Sequence, residues 1–401
     1  MWEEKFSARS KTMKASAIRE LLKLVESPEI ISFAGGMPDP TLFPKETLGE
    51  IAKYVFVNHG GKALQYGPTE GVKPLRETVV KMMQEEGIPE VSLENLLVTT
   101  ASQQALDLIA KVFVDPGDTV IVEAPSYVGA LQALQALQAN FVTVPLDENG
   151  IKTDVLEEKI KELKAKGVNI KLIYVIPNFQ NPAGVTMSLE RRKELLRISH
   201  AYNIPVVEDD PYGEIRFEGA KIPPLLQLDH IGNVIELRTF SKILAPGFRL
   251  GWVVADKEII AKLSLAKQAA DLCSPSSTQY IADKFIRDGY MEKYLDRVRK
   301  VYKEKKDAML NAMEKYFPRE VTWTKPHGGM FVWAQTPPYI DTDALFVEAV
   351  KEKKVAYVVG SAFYPYGEDK NHMRLNFTLS TLEQIEEGIK RLGELLQSKI
   401  K

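Results

Sequence analysis

The sequence predicts an α/β protein whose larger domain contains a mostly parallel, seven-stranded sheet and whose smaller domain is of the α+β type. Short β-rich runs alternate with helical stretches between residues 96 and 254, the order expected of parallel strands joined by crossover helices. Several of these runs are apolar throughout, as strands are when helices cover both faces of a sheet. After about residue 288 the pattern changes to long charged helices with shorter strands between them.

The elements of this fold follow in chain order. Residues 17–25 are amphipathic and begin an N-terminal arm that turns at Gly35-Gly36-Met37-Pro38. The first crossover helix, residues 103–114, places apolar side chains on one face, and residues 130–139 form another packed crossover helix. The predicted strands of the large sheet are residues 96–99, 119–123, 141–145, 171–176, 205–208, 234–237 and 251–254. The predicted strands of the small domain lie near residues 329–333, 355–358 and 373–377.

The length of the chain sets the domain prediction. A chain of 401 residues can bury one large core and one smaller core, so we expect two domains. Residues 1–40 are expected to form an arm and part of the small domain, residues 41–304 the large domain, and residues 305–401 the remainder of the small domain.

Composition excludes several classes of function. A net charge of −2 gives no basic surface for nucleic acid, and no apolar run approaches the roughly 20 residues that cross a bilayer. The N-terminus lacks the charged and then apolar layout of a signal peptide. The single cysteine, Cys273, excludes an internal disulfide and fits a reducing compartment, so we expect a cytoplasmic protein. The five histidines show no metal-ligand spacing, and no metal site is expected.

The segment from Thr239 to Trp252 combines a lysine, a hydroxyl group and an arginine around a turn. Lys242 directly follows the apolar run 234–237, and a partly desolvated lysine amine can bond covalently to an aldehyde. Ser241 and Arg249 can both hold a phosphate, because the turn at Pro246-Gly247 returns the arginine toward the same anion. Pyridoxal phosphate (PLP) offers both an aldehyde and a phosphate.

This segment closely resembles the lysine signature of the class I and II aminotransferases, and the resemblance extends over nearly the entire chain. It implies the fold type I architecture of PLP-dependent transferases, with Lys242 as the covalent anchor of the cofactor and general base. The resemblance assigns the carboxylate at the pyridine nitrogen to Asp209, since Asp209 and Tyr212 meet the family's spacing and Asp210 does not. Both side chains follow a predicted strand, at the edge where α/β sheets bind ligands.

The remaining cofactor contacts are also implied by the resemblance. Tyr212 and Asn181 correspond to the groups that hydrogen-bond the phenolic oxygen; Asn178 is the rival of Asn181, but Asn181 carries the match in Asn181-Pro182-Ala183-Gly184. Tyr127 corresponds to the aromatic residue that stacks on the ring. The resemblance places these further side chains at the phosphate: Ser102, Gln103, Ser241, Arg249 and, from a neighbouring subunit, Tyr66. A homodimer with shared active sites is therefore expected.

The substrate prediction depends on a closer resemblance. Arg374 corresponds to the arginine that binds the substrate α-carboxylate, and Asn181 and Gly36 to further substrate contacts. Residues 15–22 and 33–40 resemble the N-terminal segment of 2-aminoadipate and kynurenine aminotransferases, in which Arg19 corresponds to an arginine that faces a side-chain carboxylate. Alternatively, Arg19 forms a solvated ion pair with Glu20 or Glu26. We expect 2-aminoadipate, glutamate, aromatic amino acids or kynurenine as donors and 2-oxoglutarate as acceptor, in a ping-pong mechanism.

Two other functions are compatible with such a scaffold. A PLP enzyme of the same fold can catalyse β-elimination or decarboxylation, because the cofactor supports all of these reactions. The role that the resemblance gives Arg374 favours retention of the α-carboxylate, which makes decarboxylation less attractive. The second alternative is the non-catalytic, PLP-binding sensor domain of bacterial transcription regulators. It is disfavoured because the Gly-Gly-x-Pro turn at residues 35–38 leaves no room for a preceding DNA-binding module of about a hundred residues.

Overall fold

A computed structural model describes residues 2–12, 27 and 29–401 of the protein. Strands from the middle of the chain form a large sheet. The strands of the described residues, in chain order, are β1 Ile31–Ser32, β2 Leu96–Thr99, β3 Thr119–Ala124, β4 Asn140–Asp147, β5 Gly150–Ile151, β6 Ile170–Val175, β7 Val206–Asp209, β8 Val234–Thr239, β9 Gly251–Val254, β10 Thr322–Trp323, β11 Phe331–Gln335, β12 Val355–Ala356, β13 Val358–Val359 and β14 His372–Asn376.

The large sheet has eight strands in the order β2-β9-β8-β7-β6-β3-β4-β5. The five strands from β8 to β4 run parallel, whereas β9 is antiparallel to both of its neighbours and β5 is antiparallel to β4. The α/β prediction is confirmed, and the seven predicted strands are present. The eighth strand, β5, was not predicted, since a two-residue hairpin strand has too little alternation to be recognised.

Helices cover both faces of this sheet. The α-helices of the described residues, in chain order, are α1 Ala8–Thr12, α2 Lys45–Ala63, α3 Lys73–Glu85, α4 Ala101–Phe113, α5 Val128–Ala136, α6 Thr153–Ala165, α7 Leu189–Tyr202, α8 Leu225–Leu228, α9 Phe240–Ile243, α10 Lys257–Ala270, α11 Ser276–Arg287, α12 Tyr290–Tyr316, α13 Thr342–Lys351 and α14 Leu382–Gln397. Leu106 of α4 and Leu131 of α5 belong to the core on one face. Leu156 of α6 and Leu195 of α7 belong to the core on the other face. Successive strand residues supply both cores, which explains why the strands are apolar throughout.

A smaller antiparallel sheet has the order β10-β11-β14-β13. The N-terminal segment joins this part of the molecule, because β1 pairs in parallel with β12 through Ile31 and Val355. The long helix α12 packs along α14. The division into residues 1–40, 41–304 and 305–401 remains a prediction.

One prediction falls on residues that the structure does not describe, and another concerns membrane-spanning helices. The predicted amphipathic stretch 17–25, including Arg19, lies outside the described residues. In the described ranges, no helix is both long enough and apolar enough to cross a membrane.

Candidate active site

Lys242 lies at the carboxyl edge of the large sheet, in the short helix α9 that directly follows β8. The Thr239 side chain begins this helix by accepting a hydrogen bond from the Ser241 amide at 3.1 Å. The Lys242 ammonium donates to the Gly36 carbonyl at 2.7 Å. Burial, together with the positive charges of Arg374 and Arg249, lowers the pKa of Lys242 to about 8. A minor fraction of this amine, roughly a tenth to a fifth, is therefore neutral and nucleophilic near physiological pH, far more than for an ordinary lysine.

Asp209 ends β7 and is buried. The Tyr174 hydroxyl donates to its Oδ2 at 2.7 Å. Its other oxygen, Oδ1, is also buried but has no hydrogen-bond partner among the described residues. Burial raises the pKa of Asp209 to about 7, which the Tyr174 hydrogen bond partly offsets. A buried acceptor without a partner indicates that a donor is missing from the site.

Asp210, the alternative carboxylate, has different surroundings. Its Oδ2 accepts a hydrogen bond from Asn178 Nδ2 at 3.0 Å, and its Oδ1 accepts one from the Gly213 amide at 2.8 Å. Both of its oxygens therefore accept hydrogen bonds from the chain itself. The geometry leaves Asp209, and not Asp210, with an oxygen free for a ligand.

A chain of hydrogen bonds joins Tyr212, Asn181 and Arg374. Asn181 Nδ2 donates to the Tyr212 hydroxyl at 3.2 Å, and Arg374 Nη1 donates to Asn181 Oδ1 at 2.9 Å. Burial raises the pKa of Tyr212, so its hydroxyl is neutral in the absence of a further partner. The alternative residue, Asn178, instead accepts a hydrogen bond through Oδ1 from Arg192 Nη2 at 2.8 Å and is not part of this hydrogen-bonded series. The structure thus brings Asn181 to Tyr212.

Arg374 lies on β14 of the small sheet and reaches across to the large one. Arg374 Nη2 donates to the Ala34 carbonyl at 2.9 Å, and its guanidinium lies 4.1 Å from the ring centroid of Phe331 and 5.1 Å from that of Phe363. Its Nε atom is buried and has no acceptor within the described chain. Burial lowers the pKa of Arg374 to about 10, which still leaves the side chain cationic at neutral pH. The site therefore holds a fixed, partly unpaired cation.

The N-terminus of α4 lies beside Gly251 of β9 and can hold an anion. Thr100 precedes this helix, but its side chain makes no capping hydrogen bond within the described residues. The first amides of the helix and its dipole therefore favour a bound anion. Gly251 permits this arrangement, since a Cβ atom there would lie 2.9 Å from the Ala101 carbonyl carbon and the Ser102 amide nitrogen. Ser102 is thus brought beside the strand that leads from the Lys242 segment.

Side chains around this helix end are partly prearranged. Gln103 Nε2 donates to the Gly129 carbonyl at 3.0 Å, and the Tyr127 hydroxyl lies 3.4 Å from Gln103 Oε1. Ser241 Oγ is 3.0 Å from Thr239 Oγ1. Arg249 is exposed, has a left-handed backbone with φ of 51°, and donates to the Pro246 carbonyl at 3.3 Å.

Three predicted residues remain: one is exposed, one contributes its backbone, and one lies outside the described residues. Tyr66 follows α2 and is 80% exposed, as expected of a side chain that would act in another subunit. Gly36 contributes a backbone carbonyl to Lys242, and a Cβ atom at this position would lie 3.4 Å from the Phe331 ring. Arg19 lies outside the described residues.

The cluster fits PLP. Among the described residues, Asp209 Oδ1 lacks a donor, Lys242 is a half-buried amine with a lowered pKa, and the N-terminus of α4 lacks a side-chain cap. These three features match, respectively, a ring N–H, an aldehyde and a phosphate. No group of three or more His, Cys, Asp or Glu side chains in the described ranges is arranged to hold a metal ion.

Sequence reasoning missed Tyr174. It lies in the apolar run of β6, so composition marks it as a core aromatic residue. The signal that could identify it is strand register. Tyr174 is opposite Val207, and Asp209 lies two residues further on the same face of the neighbouring strand. Register between strands cannot be read from the apolar runs alone.

Comparison with known proteins places the chain among transaminases. Residues 35–392 match the family described as aminotransferase class I and II. The aromatic-amino-acid aminotransferase 1 of Thermococcus litoralis is 50% identical over 400 residues, covering 100% of this chain and 96% of that protein. The 2-aminoadipate transaminase of Thermus thermophilus is 44% identical, covering 99% of this chain and 97% of that protein.

A solved structure agrees with these sequence relatives. The kynurenine aminotransferase of Pyrococcus horikoshii, crystallised with PMP, has a TM-score of 0.96 and 50% identity. The match covers 100% of this chain and 98% of that chain.

Proposed function

Because this chain belongs to the class I and II aminotransferases and is a PLP-dependent enzyme, we propose that it transfers the amino group of an acidic or aromatic L-amino acid to a 2-oxo acid such as 2-oxoglutarate. The observation that carries this proposal is the meeting of Lys242, Asp209 and Arg374 at one edge of the sheet, each with an unusual electrostatic environment. Relatives at 44 and 50% identity bear the names of enzymes for 2-aminoadipate and aromatic amino acids, which supports both donor classes.

Lys242 is proposed to act twice. Bound PLP supplies an aldehyde that can bond to an amine and a ring that can accept electrons from the substrate. Lys242 Nζ would hold the cofactor and, when released by the substrate amine, would take the proton from the substrate Cα as general base. A pKa lowered to about 8 suits this exchange, because the amine can be neutral when it must accept a proton.

Asp209, Tyr212 and Asn181 are proposed to hold the ring. Asp209 Oδ1, which lacks a partner in the described chain, would accept the ring N–H and keep that nitrogen protonated. Tyr212 and Asn181 would donate to the phenolic oxygen, and Tyr127 would stack on the ring.

The phosphate is proposed to lie at the N-terminus of α4. Its donors would be the first amides of that helix and these side chains: Ser102, Gln103, Ser241 and Arg249. Charge-assisted hydrogen bonds to a dianion would hold the cofactor in place even while its covalent bond to Lys242 is broken.

Arg374 is proposed to bind the substrate α-carboxylate, with Asn181 and Gly36 as neighbours. The contacts to Asn181 and Ala34 fix the guanidinium before the substrate arrives, so little conformational entropy is lost on binding. Retention of the α-carboxylate by this cation orients the Cα–H bond toward Lys242.

We further propose that the protein acts as a homodimer in the cytoplasm. A band of apolar side chains on α2 and the loop after it is exposed: Tyr54, Phe56, Val57, Leu64 and Tyr66. Large exposed apolar patches mark interfaces, and Tyr66 would reach the partner's phosphate site from this band. The single cysteine suits a reducing compartment.

The proposal is tested by a donor panel. Purified protein is incubated with 2-oxoglutarate and L-2-aminoadipate, L-phenylalanine, L-kynurenine or L-alanine, and glutamate and the new oxo acid are measured together. We expect equal amounts of both products from the acidic and aromatic donors and slower turnover of alanine. Failure to form glutamate from any of the four donors would overturn the transfer reaction, and turnover of alanine alone would remove the proposed substrate classes.

A further inference from the structure

Tyr174 is the one residue for which the structure gives a hydrogen bond to the Asp209 side chain among the described residues. It lies on β6, which pairs in parallel with β7. Tyr174 and Val207 are opposite one another, and Asp209 follows Val207 by two residues, so both side chains point to the same face of the sheet. The contact is therefore set by the register of two central strands, which are among the most rigid elements of the fold.

The contact is buried and short. Tyr174 is 1% exposed and Asp209 is 2% exposed, and the hydroxyl lies 2.7 Å from Oδ2. The hydrogen bond occupies one oxygen and so determines which oxygen, Oδ1, remains without a partner within the described residues. A rotation of the carboxylate would break the contact and leave a buried hydroxyl unsatisfied.

We propose that Tyr174 is a positioning residue for the reaction: its hydroxyl orients the Asp209 carboxylate with Oδ1 toward the cofactor's ring nitrogen and keeps that carboxylate ionised. This inference rests on the proposed role of Asp209. Without the hydroxyl, Asp209 becomes a stronger base and holds the shared proton itself, and the ring nitrogen loses its positive charge. The ring is then a weaker electron acceptor.

Other ionisable groups face Asp209 and have to be considered with it. They are Glu123 on β3, Tyr127 at the start of α5, and Asp210 and Tyr212 in the loop after β7. Glu123 has the same charge type, but burial raises its pKa to about 8, so it is mostly neutral near pH 7 and repels Asp209 little. Asp210 raises the pKa of Asp209, whereas the Tyr174 hydrogen bond lowers it.

The test uses Tyr174→Phe with Tyr357→Phe as its matched control. Tyr357 is also fully buried, and its hydroxyl also makes one hydrogen bond, to the Thr342 carbonyl at 2.7 Å in the small domain. Both holoenzymes are prepared with PLP labelled with ¹⁵N in the ring, and the ring nitrogen is observed by NMR. We expect a protonated nitrogen in the wild type and in Tyr357→Phe, and a shift toward the unprotonated value in Tyr174→Phe.

Kinetics supply a second readout. Tyr174→Phe should lower kcat by about ten- to hundredfold, the effect of losing one hydrogen bond to a charged group, with KM within about twofold of wild type. The acid limb of its kcat/KM profile should move up by about one pH unit. In a double-mutant cycle with Asp209→Asn the effects should not add, because Tyr174 acts through Asp209.

The outcomes separate the inference from the proposed function. If Tyr174→Phe and Tyr357→Phe have the same ring nitrogen signal, kcat and pH profile while Asp209→Asn is impaired, the inference is wrong and the proposed function stands. If Asp209→Asn is itself as active as wild type, the proposed role of Asp209 fails first. Additive effects in the cycle would reduce Tyr174 to a general structural role and also overturn the inference.

Discussion

At the scale of single residues, Asp209 and Asp210 are neighbours in the chain with opposite roles in the structure. Asp209 has a free buried oxygen, whereas both oxygens of Asp210 accept hydrogen bonds from the chain. Asp209→Ala should therefore lower kcat by at least about a hundredfold, a magnitude typical of a lost electrostatic contact in a transition state. Asp210→Ala should mainly reduce the free energy of unfolding, by about 1–3 kcal/mol, because the Asn178 amide and the Gly213 N–H lose their acceptor.

Steady-state kinetics and urea denaturation of the two variants check this prediction. A variant Asp210→Ala with the greater loss of kcat, beside an almost normal Asp209→Ala, would reverse the assignment of the two carboxylates.

At the scale of residues, the sequence identifies the residues that belong to a motif. It does not identify residues whose contacts depend on the pairing register of two strands. Lys242, Asp209 and Asn181 stand in segments whose residue types and spacing are informative. Tyr174 lies in an apolar run typical of any buried strand, so its residue type does not single it out. Its proposed role depends on Asp209 of the neighbouring strand, 35 residues further along the chain. The free oxygen of Asp209 likewise becomes visible only once both strands are in place.

At the scale of elements, the segment after β1 is held by a buried ion pair. Lys305 of α12 donates to Asp39 Oδ2 at 2.7 Å and to the Thr378 carbonyl at 2.8 Å. This pair fixes the segment that carries Gly36, whose carbonyl contacts Lys242. The contact thus connects the long helix α12 to the site.

Lys305→Met should reduce the free energy of unfolding by about 3–5 kcal/mol at neutral pH, because Asp39 is then left buried without its partner. Burial alone would raise the pKa of Asp39, but the hydrogen bonds from Lys305 and Thr41 outweigh it and lower the pKa. A carboxylate whose pKa is lowered on folding contributes stability above its unfolded pKa and loses it as the pH falls through the folded pKa.

The difference in stability between wild type and Lys305→Met should therefore be largest near neutral pH and shrink below about pH 4. Urea denaturation at several pH values measures it. A difference that is constant from pH 7 to the acid range would show that the ion pair does not supply this stability.

The arm before β1 supplies a second prediction at the scale of elements. Arg19 lies outside the described residues, so its role rests on the sequence resemblance. If it faces a side-chain carboxylate of the substrate, Arg19→Ala should lower kcat/KM for 2-aminoadipate and glutamate by about ten- to hundredfold and change little for phenylalanine. Equal losses for both classes, or none for either, would remove Arg19 from the specificity of the enzyme.

Elements are predicted best where they are long and buried. The seven main strands and the first crossover helix follow from apolar runs and helical periodicity. The two-residue strand β1 does not, because it exists only through pairing with the distant β12, and the two-residue hairpin strand β5 is too short to show alternation. The way β1 joins the small part of the molecule is therefore a property of the whole fold.

At the scale of the whole molecule, the exposed apolar band on α2 and the loop after it is the surface that we propose for the dimer interface. Val57→Asp places a charge in the middle of this band, where the side chain is 75% exposed. Val347→Asp on α13 is the matched control, since that valine is also exposed but lies in the small domain. We expect Val57→Asp to sediment as a monomer with little activity and Val347→Asp to behave as the wild type.

Analytical ultracentrifugation with parallel assays of activity checks this prediction. Sedimentation of the wild type as a monomer with full activity would exclude the shared active site and the role of Tyr66. Fold class follows from the sequence at this scale as well, whereas the assembly does not, because an exposed apolar residue in one chain does not reveal what covers it.

The central claim is that Lys242 holds the cofactor. The holoenzyme is reduced with borohydride, digested, and mapped by mass spectrometry for a peptide that carries the reduced cofactor. We expect one labelled site, at Lys242, and we expect the Lys242→Ala protein to show neither the label nor turnover. Labelling of another lysine, or normal turnover by Lys242→Ala, would contradict it.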